Sequence, residues 1–313
     1  VTILFFGNGG GNGGGNGGGN GGGNGGGNGG GNGGGAVPFL MPLAGPLEVP
    51  GTVPPLDKGG GLRVLLCGSP VAGQSNRTGF PRTAWSPGLR AQTLLAAFAR
   101  TDWGTIGVDP PVDTAPSLAG EIRELLEKAA ALREARLPEI LAQADAFDTY
   151  FLQMLGAGGG ARPAVTTLVS ACIAIGQMVG MTYKWQFQRA RPAQVYPALL
   201  PVIPTPPHAS YPSNHSLQAH LVAAALAEIF PAGSLVRGAI EPALQALADR
   251  IAENREVAGV HFRTDSECGE YIAEAIKGRL FALQPFQDLL QEARSEIGLL
   301  EAGQAPKSTS PAP

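Results

Sequence analysis

Apolar positions recur at helical spacing through most of the chain after residue 115, and almost nowhere with the alternation of a strand. In EIRELLEKAAALREA, Ile122, Leu125, Leu126 and Ala129 recur at that spacing, and Ser117 stands where a helix cap is needed. Pro138 suits the first turn of a further helix, EILAQADAFDTYFLQML, which the glycine-rich run from Gly156 to Gly160 ends. A long apolar helix then covers about 163–190 and has to stop by Arg191, because Pro192 disfavours helical geometry in the residue before it. Segment 193–212 holds six prolines, at 197, 201, 204, 206, 207 and 212, and reads as a loop. Helices near 214–230, 238–257 and 265–298 complete the pattern, and LRVLLC at 62–67 reads as a lone strand or an extended entry. The expected fold class is all-α, a helical bundle interrupted by one proline-rich loop.

Composition divides this chain of 313 residues. Residues 7–35 repeat Asn-Gly-Gly-Gly, with almost no side chain to bury and maximal backbone entropy to lose. The expected organisation is a disordered repeat tail and Pro/Gly linker over 1–60, a helical domain over 61–302, and a short C-terminal tail over 303–313. A net charge of −3 gives no general basic field, so nucleic acid is not an expected partner. Three cysteines, Cys67, Cys172 and Cys268, are too few and too scattered for a disulfide framework or a zinc site. The N-terminal VTILFF is too short for a signal h-region and lacks a basic n-region, so it argues neither for nor against export. Ala164 to Tyr183 is long enough to span a bilayer but carries Thr, Ser and Gln and abuts Lys184. The expectation is a buried core helix, no membrane span, and a soluble protein.

Three motifs carry the chemistry. The first is Lys184-x6-Arg191-Pro192. Seven residues are close to two helical turns, so both cations are expected on one face, a point charge beside a planar fork. The second is Pro212-Ser213-Asn214-His215 ahead of SLQAHLVAAALAEIF, which puts the Ser213 hydroxyl and free N–H groups at a positive helix end. His215 then stands in the first turn as an acid or base. The third is Asn254-Arg255-x5-His261-x3-Asp265, where Asp265, four residues on, can fix the tautomer of His261. Gly259 is expected to break the helix and let Arg255 and His261 converge. Each motif alone also has a structural reading: a snorkelling pair at a helix end, an ordinary cap with a surface histidine, and a structural His–Asp pair. The three in order are far more specific, and suit an oxyanion with proton transfer to it.

Over roughly residues 165–280 these motifs resemble the superfamily that joins type 2 phosphatidic acid phosphatases, soluble bacterial acid phosphatases and vanadium-dependent haloperoxidases. The chain departs from the family pattern at Asn214, where the family has Gly, and at Asn254, where it has Ser; asparagine at 214 is expected to keep a left-handed turn. The resemblance implies a helical bundle of the acid phosphatase/vanadium haloperoxidase type. It implies that Lys184, Arg191, Ser213, Asn214 through its backbone, and Arg255 hold the oxyanion. His215 is then the acid–base group, and His261, oriented by Asp265, either the phosphate-accepting nucleophile or the ligand of vanadate. As a phosphatase the protein needs no cofactor and takes a phosphomonoester; as a haloperoxidase it holds vanadate and takes hydrogen peroxide and halide.

The cradle alone does not separate the two. His208 resembles the extra histidine of bromide-oxidising members, and GVHFR resembles haloperoxidase wording, so the reading leans to a haloperoxidase with acid phosphatase as its alternative. Core size argues the other way. A surface protein with an inactive site is a third reading, opposed by the intact motif residues. A dinuclear metal enzyme is opposed by the lack of any Glu-x-x-His pair.

Overall fold

The computed structural model describes residues 84–298, so the repeat tail, the LRVLLC segment and both tail boundaries lie outside the described residues. The described part is helical, with no strand: α1 Pro87–Phe98, α2 Ala115–Ala146, α3 Asp148–Met154, α4 Pro163–Phe187, α5 Pro192–Val195, α6 Asn214–Ala227, α7 Leu235–Val257, α8 Arg263–Phe281 and α9 Gln284–Ile297. The all-α expectation holds. Helix α6 is the centre of the packing, with α4, α7 and α8 against it. All of its residues but Ala224 are buried, which a helix apolar nearly all round requires. On the outside, α1 and α9 pack on α4, and α2 packs on α7.

Glycine permits one critical contact in this arrangement. A Cβ on Gly269 of α8 would meet the Ser213 carbonyl oxygen at 2.6 Å and the Leu217 nitrogen at 2.9 Å. Only a residue without a side chain lets α8 reach the N-terminus of α6 that closely. Ser213 N–H donates to the Asp265 carbonyl at 2.8 Å across the same contact.

Several sequence expectations are corrected. Thr114, not Ser117, caps α2, its hydroxyl accepting from Ser117 N–H at 3.4 Å. Pro138 does not start a new helix but lies inside α2. An interior proline costs about 3 kcal/mol; here α2 is tied to α7 around it, Arg133 Nε donating to the Val257 carbonyl at 3.0 Å and Glu139 pairing with Arg250 at 2.9 Å. Helix α4 ends at Phe187 because Gln188 turns into the left-handed region, with φ 53°. Lys184 and Arg191 therefore do not share one helical face; α4 ends between them, and Arg191 stands at the N-cap position of α5. The expected helix over 265–298 is two helices, α8 and α9.

The expectation of no membrane span is also corrected. Pro163–Val195 is long and apolar enough to cross a bilayer by length and composition, and 72% of its most apolar stretch is buried inside the helical body. A core helix and a bilayer helix draw on the same residues, so Thr, Ser, Gln and a flanking Lys did not suffice to exclude a span.

Candidate active site

The three motifs converge on the buried start of α6. Lys184 lies in the last turn of α4, 1% exposed, and its ammonium donates to the carbonyls of Ala209, Ser210 and Pro212 at 2.9, 2.8 and 2.5 Å. All three of its protons are directed at main-chain oxygens. Lys184 thus clamps the proline-rich loop that delivers Ser213, rather than standing free to meet a ligand.

Arg191 is used on every nitrogen. Nε donates to the His208 carbonyl at 2.9 Å, Nη1 to the Val260 carbonyl at 2.8 Å, and Nη2 meets His208 Nδ1 at 3.0 Å. Nη1 also lies 3.0 Å from His261 Nε2. A guanidinium only donates, so His261 Nε2 must accept, and its proton sits on Nδ1. That proton points at Asp265 Oδ2, 3.0 Å away. The contacts therefore assign His261 a tautomer whose Nε2 lone pair faces the cations. By the same reasoning His208 accepts at Nδ1, and its carbonyl neighbour Ala209 at 3.2 Å cannot be bonded by that atom.

Asp265 sits in the first turn of α8, and His261 lies just before that helix. The two meet across the helix start, where Asp265 Oδ2 also accepts from Phe262 N–H at 3.0 Å and Ser210 Oγ at 2.5 Å. Its other oxygen accepts from Arg189 Nη1 at 2.7 Å. Arg189, 3% exposed, pairs further with Glu121 at 2.6 Å and Asp113 at 2.9 Å, and its guanidinium lies 4.2 Å from the Phe262 ring centre. Arg189 and Ser210 were not singled out in the sequence. Both lie beside the motifs, in QRARP and HASYPSNH, but nothing in their spacing sets them apart.

Ser213 caps α6, accepting from Ser216 N–H at 3.4 Å. Asn214 is the first helical residue, not a left-handed one, and its side chain leaves the cradle. Nδ2 donates to Gln177 at 3.0 Å, and Oδ1 packs where only Gly180 of α4 leaves room. Asn254 likewise turns to α2, donating to Glu139 at 2.9 Å and Gln143 at 2.8 Å. Gly259, with φ 84°, ends α7 as expected.

Two side chains at the centre carry buried nitrogens without a hydrogen-bond partner. Both ring nitrogens of His215, and Nε and Nη1 of Arg255, are buried without a hydrogen bond. Phe147 packs against His215, ring centres 5.1 Å apart. Burial and the charge of Arg255 hold the His215 imidazole well below the ordinary histidine range. Burial and then the Arg191 charge do the same to His261. Arg255 falls to about 9, again from burial first and the neighbouring Arg191 second. His208 falls to about 4, by burial and then by the Lys184 and Arg191 charges. Cations outnumber anions here, since Asp265 is already shared with Arg189. An anion is the group that would satisfy the orphaned donors, and the site fits one.

No family model and no curated protein matches the sequence. Among solved structures, the chain is similar to the first transmembrane PAP2 type phosphatidylglycerolphosphate phosphatase from Bacillus subtilis. The TM-score is 0.42 at 18% identity, covering 62% of this chain and 92% of that one. That enzyme is a member of the superfamily the three motifs resemble. That enzyme is transmembrane and is named for a phosphatidylglycerolphosphate, unlike the soluble protein and soluble small-molecule substrate expected here; this chain's own Pro163–Val195, long and apolar enough to cross a bilayer, corrects the expectation of no span.

Proposed function

We propose that this chain hydrolyses phosphate monoesters through a phosphohistidine at His261. The carrying observation is the orphaned pair of Arg255 and His215, buried beside a His261 whose Nε2 lone pair is free of a proton. Arg255, whose Nε and Nη1 are unpartnered, would donate to two phosphoryl oxygens. Arg191 Nη1 would move its proton from His261 Nε2 to a third, releasing the lone pair. Nε2 then attacks phosphorus, the P–O bond to the alcohol breaks, and His215 gives the departing oxygen its proton. In the second half His215 takes a proton from water, the water oxygen attacks phosphorus, and the P–N bond returns its electrons to His261. His261 Nδ1–H keeps donating to Asp265 throughout, and the carboxylate offsets the positive charge of the phosphorylated ring. The dianionic substrate raises the basicity of His215 when it binds, so that His215 takes from solvent the proton that the empty cationic site disfavours.

Vanadate suits the same donors, with His261 Nε2 as its ligand, and when bound supplies peroxide activation for halide oxidation. The hydrolytic reading has its nucleophile, its oxyanion donors and its acid–base group together in this cradle. His208, the residue that favoured the haloperoxidase, has its Nδ1 engaged by Arg191.

The test is acid-quenched incubation of the full chain with a 32P-labelled phosphate monoester. Acid-labile, base-stable label is expected, absent in His261→Ala and accumulating in His215→Ala with a good leaving group. Label that persists in His261→Ala sinks the reading, as does sustained bromide oxidation exceeding hydrolysis in vanadate-loaded protein.

A further inference from the structure

His220 lies on α6 five residues after His215, about 7.5 Å along the helix axis and about 140° around it. It is 6% exposed and takes no part in the chemistry above. Its Nδ1 lies 2.7 Å from the Ser216 carbonyl, which can only accept, so the proton of a neutral ring is fixed there. Nε2 then faces two carboxylates: Asp249 Oδ1 of α7 at 3.0 Å and Glu270 Oε1 of α8 at 4.0 Å. These atoms converge on one point and need a positive charge between them, either a second ring proton or a metal ion.

The surroundings make these two carboxylates distinct from their neighbours. Glu267 pairs with Arg263, Glu274 with Lys277 and Glu256 with Lys128. Among the described residues the ion pairs of Asp249 and Glu270 are with His220 alone, apart from a hydrogen bond from Gln245 to Asp249 at 3.2 Å. The three donor atoms lie within 4.8 Å of one another, from three different helices. Tetrahedral zinc, with bonds near 2.0–2.1 Å, sets its ligand atoms about 3.3 Å apart; 3.0 and 4.0 Å bracket that spacing. Both carboxylates are more than half exposed and can adjust. Two surface hollows meet at His220 and Glu270, giving an ion and its waters a way in.

We propose that His220 Nε2, Asp249 and Glu270 bind a divalent transition-metal ion of the zinc class, with water completing the shell. An imidazole whose other nitrogen donates to a main-chain carbonyl is the usual metal-binding form of histidine. One nitrogen and two carboxylates suit borderline ions such as Zn2+. The ion pins α6, α7 and α8 together, about two helical turns from Ser213 and about 7.5 Å along the axis from His215, so its role is structural. Ser216 carries the link onward: its carbonyl orients His220, and its hydroxyl donates to the Ser266 carbonyl of α8 at 2.6 Å.

Zn2+ alone, titrated by calorimetry into chelator-stripped full chain, tests this independently of any hydrolytic activity. One saturable site and a raised Tm are expected. The double variant Asp249→Asn, Glu270→Gln changes only exposed side chains; it is expected to stay folded, keep its hydrolytic activity and lose both effects. His220→Gln is expected to lose them too, while His261→Ala keeps them. The proposal is overturned by the absence of saturable binding, by binding unchanged in the double variant, or by binding that disappears in His261→Ala. It is also overturned if NMR finds both His220 nitrogens protonated at neutral pH in the presence of Zn2+.

Discussion

Arg189 donates from Nη1 to one oxygen of Asp265 at 2.7 Å, while the other oxygen of Asp265 faces His261 Nδ1 at 3.0 Å. The carboxylate that orients the candidate nucleophile is thus itself oriented, by a guanidinium that Glu121 and Asp113 hold in place. Losing one partner of a buried pair costs about 3–5 kcal/mol, and a lysine cannot reproduce the planar three-way fork.

Arg189→Lys is therefore expected to lower kcat for phosphate monoester hydrolysis by about 10–100-fold, as such outer partners do, with KM little changed. Steady-state kinetics on the folded variant checks this. Unchanged kcat would show that Asp265 needs no such support.

Acid lability follows from the buried histidines. His215 and His261 both sit well below the ordinary histidine value of 6.5, chiefly through burial. Their folded-state values are lower than their unfolded ones, so the unfolded chain binds more protons as pH falls below about 6.5. Their contribution to stability is complete above that point and is lost below it, by up to about 1.4 kcal/mol per pH unit for each histidine. Denaturant titrations between pH 7.5 and 5 are expected to show this fall, and His215→Gln is expected to flatten it. An equally steep fall in the variant would assign the effect elsewhere.

Arg255 supplies the orphaned donors, so vanadate or phosphate is expected to raise Tm. Ligand at 100 times its Kd adds about 2.7 kcal/mol. Arg255→Gln should abolish most of that shift. Because burial and Arg191 bring Arg255 down to about 9, anion binding should weaken as pH rises through that value. A pH-independent shift between 8 and 10 would count against the guanidinium.

Gly269→Ala tests the contact that joins two motifs. Its Cβ would stand 2.6 Å from the Ser213 carbonyl oxygen, so α8 must retreat from α6 and carry Asp265 with it. Overpacking of this kind costs about 1–3 kcal/mol. Activity is expected to fall more than stability predicts, read as kcat at a temperature where the variant remains folded. A fall proportional to the unfolded fraction would leave the contact purely structural.

The helical periodicity and the break at Gly259 were legible in the sequence by itself, and the candidates Lys184, Arg191, Ser213, His215, Arg255, His261 and Asp265 could be named from it. They depend on local rules: the spacing of apolar positions, the conformational freedom of glycine, and the order of three short motifs. Which donors remain open was decided only in three dimensions. Lys184 looked like a ligand and is directed at three carbonyls; Arg189, at the end of the expected helix, drew no notice and anchors Asp265. Hydrogen-bond partners 25 to 76 residues apart in the chain carry no sequence period, so only packing assigns them. The same holds for Pro138, whose place inside α2 accompanies bonds to α7, and for Pro163–Val195, whose composition suits a protein core and a bilayer alike.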